Sequence, residues 1–338
     1  MKKTAEFVSP KHPDKICDVI ADTILGAYMK ADPKSRVAVE VMGGHGHVSI
    51  SGEVTSAGQV NIEEVARGVP GVPADMAIHV YLVPQSPEIG GGVDTGGAGD
   101  QGIMTGYAAR ETAERLPREY VLARELCKKI YEKWPFDGKT QVTLADAADG
   151  GEAAIETVVA SFQNASSAEL LAFVREALPG AQNYFVNPAG DWSQGGFDAD
   201  SGLSGRKLIV DNYGPEVAIG GGSFSGKDWT KVDRSGAYMA RRIAVDYLEK
   251  ALAAGENVAA VRVKLAYAIG RAEPVMAVAE MESAPKEGGG AGARREVAIA
   301  PGEYDLTPRG IFTTLKLDTI DWPATAAWGH FGREFPWG

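Results

Sequence analysis

Cysteine is nearly absent from this 338-residue chain: Cys17 and Cys127 are the two, and nothing in the sequence brings them together. A disulfide framework is excluded, and a reducing cytoplasm is the simplest expected compartment. Long apolar runs are missing as well, none approaching the ~18 residues that would cross a bilayer. The opening MKKTAEFVSP has two lysines but no apolar stretch of a secretory signal. Positive charge is the minority, 34 Lys and Arg against 45 Asp and Glu, so a net charge of −11 opposes non-specific binding to nucleic acid or an anionic membrane. A site for a polyanion must therefore gather its cations locally.

What is present is a folded globular composition, 44% hydrophobic and 23% charged, with length enough for roughly two or three domains. The 42 glycines exceed the usual share and fall in runs such as Gly90–Gly92, Gly220–Gly222 and Gly288–Gly290. Such runs suit turns and close approach of backbone to a ligand.

Apolar spacing predicts a helix from Pro13 to Met29, with Ile16, Ile20, Thr23, Ile24 and Ala27 on one face. Alternating strands follow at Arg36–Val41 and His47–Val54, with Glu40 and Glu53 in their polar phase, then Ala77–Val83. The chain reads as loop from Gln85 to Gly102, as helix over Ile103–Leu116 and again over Glu119–Trp134. Strands are expected at Gln141–Leu144, Ile155–Phe162, Tyr184–Val186, Lys207–Val210, Val258–Ala266 and Val275–Met281. Helices are expected at Ser167–Ala177 and Ser235–Ala254, and Ser283–Arg295 reads as a surface loop. Elements alternate irregularly and few strands are uniformly apolar, so the class is α+β with antiparallel or mixed sheets, not a doubly wound parallel sheet. No repeat is visible in the sequence.

Two glycine motifs fail on their context. Counted from Gly221, GGSFSGK matches the G-x-x-x-x-G-K phosphate loop, but Asp228 stands where a hydroxyl should hold magnesium, and several residues intervene before helical patterning resumes. Gly97 to Gly102, GAGDQG, matches G-x-G-x-x-G, yet no apolar strand runs into it. Around the first motif, Arg206, Lys207, Lys227 and Lys231 stand near Asp228 and Asp233. Cations suit a polyphosphate, and interleaved carboxylates suit magnesium that bridges carboxylate and phosphate oxygens. Asp228 reads as the partner of a neighbouring lysine, with a direct metal bond the weaker alternative.

KHPDK (Lys11 to Lys15), GAGDQG, GGGSFSGKD with KVDRS (Lys231 to Ser235), YAIGRAEP (Tyr267 to Pro274) and GHFGRE (Gly329 to Glu334) together resemble the methionine adenosyltransferase, or S-adenosylmethionine synthetase, family, in the family's order. The resemblance runs from about Phe7 to Trp337. It implies three pseudo-threefold related domains, near 1–88, 89–195 and 196–338 but interleaved in space. It further implies ATP and L-methionine as substrates, Mg2+ (two per site) and K+ as cofactors, and a homodimer or dimer of dimers with active sites at the subunit interface, with no nucleic-acid or membrane partner.

Carried over residue by residue, the resemblance implies that His12, Lys15, Asp137, Lys139, Trp192, Arg206, Lys207 and Lys227 contact ATP, with His12, Arg206, Lys207 and Lys227 assisting departure of the triphosphate. Glu53, Gln85, Asp100, Asp200, Lys231 and Ile269 would contact methionine. Asp14 and Asp233 would hold Mg2+ and Glu40 K+. Plainer roles compete: His12 or Asp233 as a helix cap, Asp14 as an acid set against the helix dipole, Glu40 and Glu53 as solvent-facing strand acids. The family pattern has arginine where Asp191 stands and usually Phe where Trp192 stands, and its loop between Gln85 and Gly97 is longer. Two other readings follow: a paralogue that binds nucleotide or a partner subunit without turnover, and a kinase-like enzyme or one that hydrolyses nucleoside triphosphates. His45 and His47 could bind metal from one strand face but lack an evident third ligand.

Overall fold

The helix expected at Pro13 forms as α1 (Pro13–Ala31), with Pro13 in its first turn and His12 as N-cap. The chain is described by a computed structural model over residues 2–87, 96–146, 152–284 and 292–338. In chain order it runs β1 (Lys3–Val8), α1, β2 (Arg36–Gly44), β3 (His47–Thr55), α2 (Ile62–Arg67), β4 (Ala77–Val83), β5 (Gly102–Ala109), α3 (Arg118–Lys133), β6 (Gly138–Leu144) and β7 (Ile155–Phe162). It continues through α4 (Ser167–Ala177), β8 (Asn183–Val186), β9 (Gly202–Leu203), α5 (Leu208–Asp211), α6 (Val232–Ala253), β10 (Val258–Tyr267), β11 (Met276–Ser283), β12 (Arg294–Ala298), α7 (Pro308–Thr314) and α8 (Trp322–Ala327).

The strands make three four-stranded sheets, ordered β9-β2-β3-β4, β1-β6-β7-β8 and β5-β10-β11-β12. The first two carry one parallel pair each, β3 with β4 and β7 with β8, while the third is antiparallel throughout. One unit recurs three times, a helix followed by an antiparallel hairpin: α1-β2-β3, α3-β6-β7 and α6-β10-β11. This repeat escapes sequence comparison because a hairpin needs only the alternation that buries one face, which many residue sets supply. Each sheet also takes a strand from a distant stretch of chain, β9, β1 and β5 respectively.

Two expectations are overturned. Ile103–Leu116 is not a helix: its first half is β5, registered antiparallel to β10 from Gly102↔Tyr267 to Ala109↔Ala260. Most of β5 is buried on both faces, so its side chains show no period-2 signal, and Met, Ala and Gly do not announce a strand. Gly106 is required there, since a Cβ would lie 2.0 Å from the Ala240 carbonyl oxygen of α6. Lys207–Val210 is not a strand either: Leu208–Asp211 turns as α5, a short apolar run being ambiguous by periodicity alone. The stretch read as a loop at Ser283–Arg295 has β11 entering it and β12 leaving it, with 285–291 outside the described residues. Gly90–Gly92 and Gly288–Gly290 also lie outside them, as does most of the shortened loop.

Candidate functional site

The first turn of α1 and the segment around β9 meet so closely that a Cβ on Gly202 would lie 2.2 Å from the Pro13 carbonyl carbon. This approach buries Asp14. Its Oδ1 accepts the Leu203 N–H at 2.9 Å and lies 3.3 Å from Arg206 Nε; its Oδ2 accepts Lys207 Nζ at 2.6 Å. Burial pushes the Asp14 carboxyl up, but the bonds from Lys207 and Leu203 outweigh it and hold it below the usual carboxylate range. Asp14 is thus an anion set among cations.

His12 caps α1: its Nδ1 accepts the Asp14 N–H at 3.2 Å, which leaves the imidazole proton on Nε2. Burial, and then the nearby Lys207 and Lys139 charges, push its pKa down to about 3. The ring is a neutral hydrogen-bond donor rather than a fixed positive charge. The cap and the proposed ligand contact are therefore compatible, because they use different nitrogens.

On the same side lie Asp137, buried with Oδ2 accepting Gly196 N–H at 3.0 Å, and exposed Lys139 on β6. Burial pushes the Asp137 carboxyl up. Trp192 is half-buried, its Nε1 donating to Ser161 Oγ at 3.1 Å; Ser161 is the register partner of Lys139. Asp200 is exposed, with Oδ1 accepting the Ser201 N–H. Asp191 turns away from this group. Its Oδ1 accepts both the N–H (2.9 Å) and the hydroxyl of Ser167 in the first turn of α4, and those bonds hold the carboxyl below its ordinary pKa. Asp191→Ala is expected to lower the melting temperature slightly through the lost helix-start contact and to leave the KM for ATP unchanged, as thermal melts and steady-state kinetics would read.

The glycine loop forms the second cluster. Lys227 pairs its backbone with Ala38 of β2 and reaches Asp233 Oδ2 with Nζ at 2.6 Å; Asp233 Oδ1 accepts the Gly222 N–H at 3.0 Å. Asp233 lies in the first turn of α6, where Lys231 holds the cap position, so its role as N-cap is excluded. A β-strand, not a helix, follows GAGDQG, and residues 228 to 231 separate the glycine loop from α6, so neither glycine motif has its nucleotide-binding context. Asp228 is fully buried and accepts the Val37 N–H at 2.7 Å, the Thr230 N–H at 2.8 Å and Lys231 Nζ at 2.6 Å. It is a staple between loop and β2, and it occupies the Lys231 ammonium expected at methionine.

Glu40, on the outer face of its sheet, bridges the clusters through Ser204 Oγ at 2.5 Å; burial pushes its carboxyl up against the pull of Ser204 and Lys227. Glu53 and Gln85 lie at the same end of the β3-β4 pair: Glu53 is opposite Val83, and the Gln85 N–H reaches Thr55 Oγ1. Asp100 and Ile269 are brought close by backbone bonds between Ala98 and both Gly270 and Arg271; both side chains are exposed.

Lys15 is the displaced residue. It is fully buried, its Nζ donating to Asp18 Oδ2 at 3.0 Å and Asp211 Oδ1 at 2.5 Å, so the expected triphosphate contact does not fit its position. Burial pulls its pKa down, but the two carboxylates more than reverse this and keep it charged. The buried set Asp18, Asp22, Asp211 and Arg234 was missed by sequence reasoning. Its signal was there: Asp14, Asp18 and Asp22 recur every four residues along the buried face of α1, among Ile16, Cys17, Ile20, Ala21, Ile24 and Leu25.

Among the described residues no group of three or more His, Cys, Asp or Glu could hold a metal, and the His47 ring stands 6.3 Å from His79 alone. The donors nonetheless fit Mg2+, which takes one or two carboxylates and completes its shell with water and phosphate oxygens. Asp14 and Asp233 each have a lysine ammonium 2.6 Å from one oxygen, a position that already accepts a cation. Glu40 with Ser204 offers hard oxygens that suit K+. Cys17 and Cys127 are buried free thiols. No helix among the described residues is long and apolar enough to cross a membrane.

Three models of one family match in succession: the N-terminal domain of S-adenosylmethionine synthetase over residues 1–70, the central domain over 95–192 and the C-terminal domain over 194–338. An S-adenosylmethionine synthase of Brachyspira hyodysenteriae is 38% identical, covering 98% of this chain and 93% of its own. One from Corynebacterium efficiens is also 38% identical, covering 99% and 94%. Both alignments, 380 and 391 positions, are longer than the 338-residue chain, so segments of each relative face gaps here. Among solved structures, an unusual S-adenosylmethionine synthetase from Campylobacter jejuni superposes with a TM-score of 0.83 at 31% identity, covering 99% of this chain and 96% of that one.

Proposed function

We infer the roles below from one premise: the chain belongs to the S-adenosylmethionine synthetase family. It is an ATP:L-methionine S-adenosyltransferase, in which the methionine sulfur attacks C5′ of ATP and the expelled triphosphate is cut to pyrophosphate and phosphate. A thioether carries no proton, so the first step needs no general base. The residues are left with positioning and with stabilising charge on the leaving triphosphate.

The observation that carries the assignment is the pair of carboxylate-cation clusters, Asp14 with Arg206 and Lys207, and Asp233 with Lys227. In the proposal, triphosphate oxygens take the place of the carboxylates as partners of Lys207 and Lys227. Asp14 and Asp233, freed of their lysines, would hold Mg2+, one for each of two ions. Bound Mg2+ would supply charge neutralisation of the triphosphate and K+ at Glu40 a further fixed charge. His12 donates from Nε2 near the leaving oxygen without changing protonation. Asp137, Lys139 and Trp192 receive the nucleoside, the indole stacking on adenine. Glu53, Gln85, Asp100, Asp200 and Ile269 receive methionine, with Lys231 acting through Asp228.

The outer face of the β9-β2-β3-β4 sheet carries exposed Leu203, Met42, Tyr81 and Val83 around Glu40 and Glu53. Such an apolar patch beside site residues supports self-association, as a homodimer or dimer of dimers, with the active site at the interface; the enzyme is proposed to work in the cytoplasm. The division at 1–88, 89–195 and 196–338 is retained as a sequential one that all three sheets cross.

Incubation with ATP, methionine, Mg2+ and K+ should yield S-adenosylmethionine with both pyrophosphate and phosphate. ATP binding with no adenosyl product over long incubation would instead identify a non-catalytic paralogue, and methionine-independent release of the terminal phosphate a hydrolase. Glu40→Ala should raise the K+ concentration for half-maximal activity about tenfold while leaving Mg2+ dependence unchanged, as titration of each ion would read.

A further inference from the structure

We propose that Asp18 and Asp22 are positioning residues that hold the two cation-bearing loops of the site by their backbone, each capturing one glycine N–H. The inference rests on the assignment of Arg206, Lys207 and Lys227 to the triphosphate and adds to it the parts that aim them.

Three acids on α1 each accept a backbone N–H at 2.9 Å: Leu203 to Asp14, Gly205 to Asp18 and Gly226 to Asp22. Four residues rise about 6 Å along a helix, so the acids form a ladder that spans both loops. The captured amide lies immediately before the functional cation in both cases, Gly205 before Arg206-Lys207 and Gly226 before Lys227. Both glycines have left-handed φ, +72° and +79°. A Cβ at Gly205 would lie 2.6 Å from Ser223 Cβ, and one at Gly226 would lie 2.1 Å from the Val39 carbonyl oxygen. The loops are thus turned so sharply that only glycine fits, and each turn aims its N–H at a fixed carboxylate.

The acids have their own counter-ions and do not draw on the functional ones. Asp18 faces Lys15, while Asp22 receives Arg234 through two parallel bonds of 2.7 and 2.9 Å. Arg234 also donates to the Lys227 carbonyl at 3.2 Å, and Asp22 Oδ2 accepts Thr325 Oγ1 at 3.2 Å. Lys15 therefore serves as the counter-ion of a support, which explains why a lysine next to the site is buried. Charge-assisted bonds to backbone suit this task because they are short and directional.

The test uses the full-length enzyme with Asp18→Ala, Arg206→Ala/Lys207→Ala and these changes combined, and in parallel Asp22→Asn, Lys227→Ala and their double variant. Positioning predicts a loss of about 10²-fold in kcat for Asp18→Ala with the KM for methionine within threefold. The combined variant should then be within about threefold of Arg206→Ala/Lys207→Ala alone, because cations already absent cannot be misaimed. Asp18→Asn, which keeps an acceptor for Gly205, should recover part of the loss. Should Asp18→Ala fail to fold, Asp18→Asn enters the same cycle. Amide hydrogen exchange gives a readout independent of turnover: Asp18→Asn should speed exchange in 202–207 and Asp22→Asn in 220–228, each sparing the other loop. Uniform exchange changes, or losses that multiply in the combined variants, would overturn the proposal while product formation by the unmodified enzyme leaves the reaction intact. Absence of product from that enzyme would strike the functional assignment instead, and loop-specific exchange would still decide the positioning role.

Discussion

Lys227→Ala lowers kcat by about 10²- to 10³-fold, the loss expected when one preorganised charge is removed from a developing anion. The backbone at 227 is held independently of the side chain, by the bridge to Ala38 and by the Val39 N–H bonded to the Gly226 carbonyl at 3.1 Å. The loop should therefore keep its shape when the ammonium is gone. The only ion pair lost among the described residues is the one with Asp233, whose two side chains are each nearly a fifth exposed, so stability should change by about 1 kcal/mol or less. Steady-state kinetics with parallel urea melts test this: loss of stability in step with loss of turnover would make Lys227 a structural residue. Asp233→Ala should lower turnover comparably, with a raised Mg2+ requirement as its distinguishing sign.

Asp228→Ala has the opposite signature, a loss of about 3–5 kcal/mol of stability. The carboxylate is fully buried and satisfies two backbone N–H groups and the largely buried Lys231 ammonium. Alanine would leave all three without their acceptor, and an unmatched buried charge costs more than the pair contributes. Urea unfolding of the variant beside the unmodified protein reads the effect directly. A magnesium ligand at this position would behave otherwise: stability would hold and the Mg2+ dependence would shift. The position that breaks the phosphate-loop pattern is thus where the loop is fastened to β2.

Legibility followed the strength of local signals. α1, β7 and α4 lie where periodicity and caps place them, because each buries one face and exposes the other or carries a plain start signal such as Ser166 before α4, while β4 lies where its apolar, β-branched and aromatic residues place it. β5 was misread because its neighbours bury both faces, which erases alternation. The type of α5 was set by its surroundings: Asp211 is drawn to Lys15, nearly two hundred residues earlier in the chain. For the site, Asp14, Asp233, Lys207 and Lys227 could be named from motif and charge, but their pairing could not.

Motifs along the chain carry the family and, through it, the reaction, while composition and the order of elements carry the α+β class and the residue types that gather around a polyanion. Tertiary structure alone decided which charges face the site and which lie beneath it. Lys15 and Lys207 are alike as letters, Lys15 following Asp14 in HPDK and Lys207 following Arg206. One is fully enclosed between Asp18 and Asp211, and the other reaches the Asp14 carboxylate from a partly open side. Burial and distance separate a counter-ion from a ligand-binding cation, and both are properties of packing between elements far apart in the chain.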